Sequence, residues 1–149
     1  MSEARFGVVG LGAMGRNLAR NLECHAGPVA VFNRTRAKTE SLIADAATSR
    51  LVPTYALSEL VAALARPRTV LLMVKAGDAT DAVLSDLLPL LARGDVVIDG
   101  GNAHFLDTDR RIVDAESRGV LYLGTGFSGG PRGALHGPSV MPGGSQAGY

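Results

Sequence analysis

The chain has 149 residues, 46% of them hydrophobic and only 5% aromatic, with a formal net charge of +1. That is long enough for one domain with its own core and too apolar for a disordered chain. The near-neutral charge excludes a nucleic-acid binder that relies on a broad basic field, and a single cysteine, Cys24, excludes an intrachain disulfide or a cysteine-rich zinc site. The first residues lack the shape of a signal peptide, and no apolar run approaches the roughly 20 residues of a membrane span. The expectation is a soluble cytoplasmic protein with no metal, membrane or nucleic-acid partner.

Residues 6–9 form a short apolar run closed by Gly10 and read as a buried strand. Met14, Leu18 and Leu22 then fall at i, i+4 and i+8, one stripe of a helix, and Pro28 breaks the pattern. Residues 29–32 read as a second strand, which completes a βαβ unit. Residues 36–47 are helix-like, 51–55 a short strand and 58–64 a short helix. Residues 69–74 form the continuous apolar run of a parallel strand buried on both faces. Asp78 is placed to cap the next helix, whose inner stripe is Val83, Leu84, Leu87 and Leu88 and which Pro89 interrupts. A strand over 96–98 ends at Asp99, a helix over 106–118 stops at Gly119, and 120–123 is the next strand. The last 26 residues depart from this rhythm: nine of the 19 glycines lie there, with one strand at 139–141. Strands alternating with helices predict an α/β fold, a Rossmann-type doubly wound, mainly parallel sheet with helices on both faces, in a single domain over 1–149.

Gly10, Gly12 and Gly15 give G-x-G-x-x-G between a strand and a helix. The first glycine permits a tight turn, the second lets backbone approach a pyrophosphate, and the third lets helix and strand pack closely. Gly10, Leu11, Gly12, Ala13, Met14 and Gly15 are therefore expected to hold the pyrophosphate of a nicotinamide dinucleotide at a helix N-terminus. The end of the second strand selects between the two cofactors. An Asp or Glu there binds the ribose 2′-hydroxyl of NAD. This chain has Asn33, Arg34 and Thr35 instead: Asn33 and Thr35 can hydrogen-bond a 2′-phosphate without repelling it, and Arg34 can pair with it. NADP is the expected cofactor.

Ligands of an open α/β sheet lie outside the carboxyl ends of its strands. Two further ends carry small or polar residues: Met73 to Gly77, with Lys75, and Asp99, Gly100, Gly101 and Asn102. Together with the glycine turn they are expected to ring one crevice. A Ser128-Gly129-Gly130 loop exposes N–H groups and a hydroxyl with no bulky side chain in the way.

In order along the chain, the glycine turn, Asn33-Arg34-Thr35, the 73–77 segment, Asp99–Asn102 and the 126–144 glycine-rich segment resemble the N-terminal domain of the 6-phosphogluconate dehydrogenase family over essentially the whole sequence. Related β-hydroxyacid dehydrogenases generally carry Asp-x-Ser-Thr where this chain has Asp99-Gly100-Gly101-Asn102. The resemblance implies that Val74, Lys75 and Ala76 line the cofactor, that Asn102 touches both nicotinamide and substrate, and that Ser128, Gly129 and Gly130 bind the sugar acid. The implied reaction takes 6-phosphogluconate and NADP⁺ to ribulose 5-phosphate, CO₂ and NADPH, usually in a homodimer. The sequence departs from the family at Pro131-Arg132, where an acidic pair is usual. The family's lysine base and glutamate acid lie on a following helical domain beyond this chain. No catalytic residue is therefore assigned within it, and the expectation is a cofactor domain inactive alone. Two alternatives stay open: another β-hydroxyacid dehydrogenase, or a non-catalytic NADP-binding module.

Overall fold

The computed structural model describes residues 3–46 and 50–149. Strand β1 (Phe6–Val9) leads into helix α1 (Ala13–Ala26), and β2 (Val29–Phe32), α2 (Arg36–Asp45), β3 (Leu51–Pro53), α3 (Leu57–Ala62) and β4 (Thr69–Leu72) follow. The second half runs α4 (Asp78–Leu87), β5 (Val96–Asp99), α5 (Phe105–Ser117), β6 (Leu121–Ser128), α6 (Gly130–His136) and β7 (Ser139–Gly144). The strands form one sheet in the order β3-β2-β1-β4-β5-β6-β7. Every neighbouring pair is parallel except β6 and β7.

The short apolar runs are strands because both of their faces are covered. Side chains alternate across a pleated sheet, so Val8, Val31 and Leu71 pack on one face with Leu18, Ala19, Leu42 and Ala134 of α1, α2 and α6. Val9, Ala30, Val70, Leu72 and Val97 pack on the other with Leu60, Leu84, Leu87 and Ala115 of α3, α4 and α5. This is the expected doubly wound arrangement. Its strand order reverses between β1 and β4, which places a crevice at their carboxyl ends.

Several expectations need correction. The helix expected over 36–47 ends at Asp45, and Ala47 lies outside the described residues. Asp78 is the first residue of α4 and not its cap. Gly77 caps it at φ 92, a conformation glycine adopts without strain, and Asp78 adds charge to the first turn. The run over 69–74 leaves the sheet after Leu72, and the strand over 51–55 ends at Pro53. The largest difference is C-terminal. β6 continues to Ser128 because β7 pairs along its last six residues, from Leu123 opposite Gly144 to Ser128 opposite Ser139. The glycine-rich segment between them contains a helix, α6. Its Ala134 is buried, and two α1 side chains hold it: Asn17 Nδ2 donates to Pro131 O and Asn21 Nδ2 to Leu135 O, both at 3.0 Å. Among the described residues no helix is long and apolar enough to cross a membrane, and no group of three or more His, Cys, Asp or Glu is placed to hold a metal.

Candidate functional site

The turn between β1 and α1 is shaped by what its glycines exclude. Gly10 has φ +95, and a Cβ there would run into the Met73 carbonyl. A Cβ on Gly15 would run into the Gly10 carbonyl, so helix and turn touch backbone to backbone. Gly12 differs: it is exposed, and nothing lies within 4 Å of where its Cβ would stand. It is also the N-cap of the 14-residue α1, with no side chain capping the helix. The first helical N–H groups, from Ala13, Met14 and Gly15, therefore face this open side with the positive end of the helix dipole. Leu11 takes a different part. It is 3% exposed, and its N–H donates to Asn33 Oδ1 at 2.9 Å, so it secures the turn from within.

The end of β2 lies beside this turn. The Asn33 amide also donates to Thr35 O at 3.2 Å, so Asn33 ties the glycine turn to the start of α2. Thr35 is the N-cap of α2 and its hydroxyl makes no capping bond. Arg34 is exposed and has no partner among the described residues. Arg36, by contrast, is engaged with Glu40 at 2.8 Å and lies 4.2 Å over the Tyr55 ring. Gly10, Gly12, Asn33, Arg34, Thr35, Lys38, Val74 and Lys75 line one groove of about 460 Å³, with Leu57, Ala79 and Val83 as its apolar wall and Asp86 at its rim. Lys38 was not foreseen in the sequence. Its signal is its spacing, three residues after Thr35 on the first turn of α2.

The β5 end is built differently. Asp99 is 2% exposed. Its Oδ1 accepts from Gly101 N at 3.0 Å, and its Oδ2 from Tyr122 Oη at 2.7 Å and Arg111 Nη1 at 3.5 Å. Arg111, also buried, donates through Nε to Asp81 at 2.9 Å and through Nη2 to Gly77 O at 3.1 Å. The Arg111 hydrogen bond holds the Asp81 carboxyl below the usual carboxylate range. Burial, and then the charge of Asp99, push the Tyr122 phenol above its ordinary value. Asn102 has φ +55, the one positive value on a non-glycine among the described residues. It lines a second, wider groove of about 820 Å³ with Phe105, Thr108, Ile112 and the Gly124–Gly126 backbone.

The single crevice expected from the sequence is thus two grooves. Val74 and Lys75 share the first with the glycine turn, Asn102 lies in the second, and Ala76 lines neither. The division falls where Gly101 packs on the loop after β4: its Cβ would stand 2.7 Å from the Val74 carbonyl oxygen. Ser128, Gly129 and Gly130 are not a free loop. They are the last residue of β6, the left-handed cap of α6 at φ 113 and its first residue, all exposed and in neither groove. Pro131 sits in the first turn of α6, where its missing N–H costs no helical bond. Arg132 is exposed with no partner among the described residues. His104 caps α5 by accepting from Leu106 N at 3.3 Å, a structural role. The Arg111 cluster and the Asn17–Asn21 ladder were missed. The i,i+4 spacing of the two asparagines was a usable signal, but nothing local marks a buried arginine.

A family model described as the NAD binding domain of 6-phosphogluconate dehydrogenase matches residues 5–149. The chain is similar to the decarboxylating 6-phosphogluconate dehydrogenase of Synechococcus elongatus, with 52% identity over 150 residues, all of this chain and 32% of that protein. The Escherichia coli enzyme of the same name is 51% identical over 149 residues, again all of this chain and 32% of the relative. The chain therefore spans about a third of the length of the curated relatives it matches. Among solved structures, the 6-phosphogluconate dehydrogenase of Plasmodium falciparum, described in complex with NADP⁺ and with 6-phosphogluconate, superposes with a TM-score of 0.93 at 38% identity, over 98% of this chain and 32% of that one. A 3-hydroxyisobutyrate dehydrogenase of Mycobacterium tuberculosis shares the fold, with a TM-score of 0.85 at 24% identity over 98% of this chain and 48% of that one.

Proposed function

The chain belongs to the 6-phosphogluconate dehydrogenase family through its NAD binding domain, and from that premise we propose that it is the NADP-holding part of a decarboxylating 6-phosphogluconate dehydrogenase. The observation that carries the cofactor choice is the end of β2. It has no carboxylate, and it presents Arg34, unpaired among the described residues, beside Lys38 and Thr35, whose hydroxyl makes no capping bond, in one groove.

The open side of Gly12 and the free N–H groups of α1 suit a pyrophosphate. Arg34, Thr35 and Lys38 would hold the 2′-phosphate, Arg34 through a planar fork that matches phosphate oxygens. Asn33 would keep the glycine turn and the phosphate-binding residues in register, because its side chain is engaged with Leu11 N–H and Thr35 O. The apolar wall of Leu57, Ala79 and Val83 would take the adenine. Val74, Lys75 and Ala76 would line the path towards the nicotinamide, Asn102 would contact nicotinamide and substrate, and Ser128, Gly129 and Gly130 would receive the sugar acid.

When bound, NADP⁺ would supply a hydride acceptor for C3 of 6-phosphogluconate, the oxidation that prepares the sugar acid to lose CO₂. The chain's own residues bind and orient. Asn102 and the Ser128 hydroxyl would fix the substrate relative to the cofactor, and the backbone glycines would let both approach closely. Such a reaction needs a general base and a general acid. Asp99 lines the second groove, but both of its oxygens are engaged by Gly101 N–H, Tyr122 and Arg111, so in this reading the proton-transfer groups come from outside the described residues.

Calorimetric titration tests the reading. The chain is expected to bind NADP⁺ about 10- to 100-fold more tightly than NAD⁺, as one or two charge-assisted bonds warrant. Arg34→Ala is expected to erase most of that preference, and equal affinities in the parent chain would refute the 2′-phosphate assignment. No ribulose 5-phosphate is expected from the chain alone.

A further inference from the structure

We propose that Arg111 is a positioning residue for the nicotinamide end of the cofactor site, tying the loop after β4 to the turn after β5 from inside the protein. The proposal rests on the NADP-binding reading above.

Arg111 lines neither groove. From α5 its guanidinium reaches three other elements: the Gly77 carbonyl at 3.1 Å, Asp81 of α4 at 2.9 Å and Asp99 of β5 at 3.5 Å. Asp99 passes the restraint on, because its other oxygen holds Gly101 N–H at 3.0 Å. A continuous path thus runs from Gly77 through Arg111 and Asp99 to Gly101. On the opposite side the two loops touch directly, since a Cβ on Gly101 would stand 2.7 Å from the Val74 carbonyl oxygen and 3.6 Å from Ala76 N. The loop after β4 is pinned once more where the buried Thr80 hydroxyl donates to Lys75 O at 3.0 Å. Val74 to Gly77 and Gly101 to Asn102 therefore form one unit, braced underneath by Arg111 acting through Asp99 and by Thr80.

The choice of residue fits a geometric task. A guanidinium donates in several fixed in-plane directions, whereas an ammonium is a point charge that cannot span three acceptors in this layout. A buried arginine with carboxylates is a poor source of stability, because desolvation offsets most of the attraction. What the arrangement supplies is a fixed distance between two loops. The 2′-phosphate residues at the end of β2 are held instead by Asn33, which has no bond to this cluster.

Arg111→Lys separates positioning from folding. Asp81 keeps Arg110, at 3.0 Å, and Asp99 keeps Tyr122, so neither carboxylate loses its last partner. Two probes are titrated: adenosine 2′,5′-bisphosphate, which has only the adenosine end, and NADPH, whose fluorescence reports the surroundings of its nicotinamide. The variant is expected to bind the bisphosphate within about twofold of the parent, to bind NADPH about tenfold more weakly, and to lose at least about half of the fluorescence gain on binding, a size usual for a displaced contact. Equal losses for both probes, or no loss for either, would overturn the proposal. Gly101→Ala wedges the same two loops apart while leaving Arg111 in place, since its Cβ would stand 2.7 Å from the Val74 carbonyl oxygen and 3.2 Å from Asp99 Oδ1, and it is expected to give the same selective loss. Unchanged NADPH binding in Gly101→Ala overturns the proposal even where Arg111→Lys fails to fold. A parent chain that binds neither probe overturns the cofactor reading itself, and the proposal with it.

Discussion

The two halves of the sheet's carboxyl edge prepare for ligands in opposite ways. At β1 and β2, the polar side chains that face outward lack internal partners: Arg34 is unpaired among the described residues, and Thr35 caps α2 without using its hydroxyl. At β5, the polar side chains beneath the turn are engaged inside the protein, while Asn102 above them stays exposed in the groove. Asp99, Arg111 and Tyr122 are all buried and bonded to one another or to backbone. The first half offers long side chains to a ligand, and the second uses buried polar groups to hold the turn that carries Asn102. Side-chain recognition is local and tolerates small shifts of a long, flexible arginine or lysine. Backbone recognition needs its turns held by something rigid.

The most severe challenge to that contrast is Gly15→Ala. The first half also depends on backbone, most tightly where Gly15 has no room for a Cβ against the Gly10 carbonyl. Relieving the clash moves either α1 or the turn. Overpacking of this kind costs about 1–3 kcal/mol of stability. A shifted turn is expected to weaken NADP⁺ binding by about 100-fold or more, equivalent to about 2.7 kcal/mol. Thermal unfolding and calorimetry together check it. A variant that binds NADP⁺ like the parent would show that free side chains alone carry the first half.

The contrast also explains what could be read in the sequence. The first half was legible because its signals are contiguous. Gly10, Gly12 and Gly15 follow a strand and open a helix, and Asn33-Arg34-Thr35 stands where strand β2 ends. The sheet followed from the alternation of apolar runs, although bounds shifted by a residue or two where a loop such as Met73–Gly77 left the ladder. The second half was less legible because its order comes from residues far apart in sequence. Arg111 meets Gly77 across 34 residues. β6 is twice the length expected because its last six residues are stabilised by β7, and α6 forms against α1 through Asn17 and Asn21, 114 residues away. Local propensity in a glycine-rich segment points to loop, and tertiary contacts overrule it here.

A smaller effect tests the interior of the second half. Tyr122→Phe removes a 2.7 Å hydrogen bond to the buried Asp99. A bond to a charged acceptor contributes about 1.5–3 kcal/mol, which urea unfolding should show as lost stability. The sign of the pH dependence follows from the raised folded-state pKa of the phenol. Above about pH 10 the unfolded tyrosine releases its proton while the folded one keeps it. The stabilisation is therefore complete below that point and declines as pH rises beyond it. The parent chain is expected to lose stability on the alkaline side, and the variant to lose less per pH unit. Identical alkaline limbs would mean that Tyr122 is not the group held neutral, and would weaken the picture of an interior that sets its own protonation.

The smallest expected effect sharpens the first half. Lys38 is exposed, so its attraction to a 2′-phosphate is screened by water and salt. Exposed charge pairs contribute about 0.2–1 kcal/mol, so Lys38→Ala is expected to weaken NADP⁺ binding by no more than about fivefold. Binding of NAD⁺, which has no 2′-phosphate, should not change, and the loss for NADP⁺ should shrink as salt is raised. Arg34 differs in kind, since its fork can make two directed bonds to one phosphate and so keeps more of its contribution at high salt. Calorimetry of both cofactors at low and high salt separates the two residues. If Lys38→Ala weakens NAD⁺ and NADP⁺ alike, the lysine acts on the shared part of the cofactor, and the selectivity of the first half rests on Arg34 and Thr35.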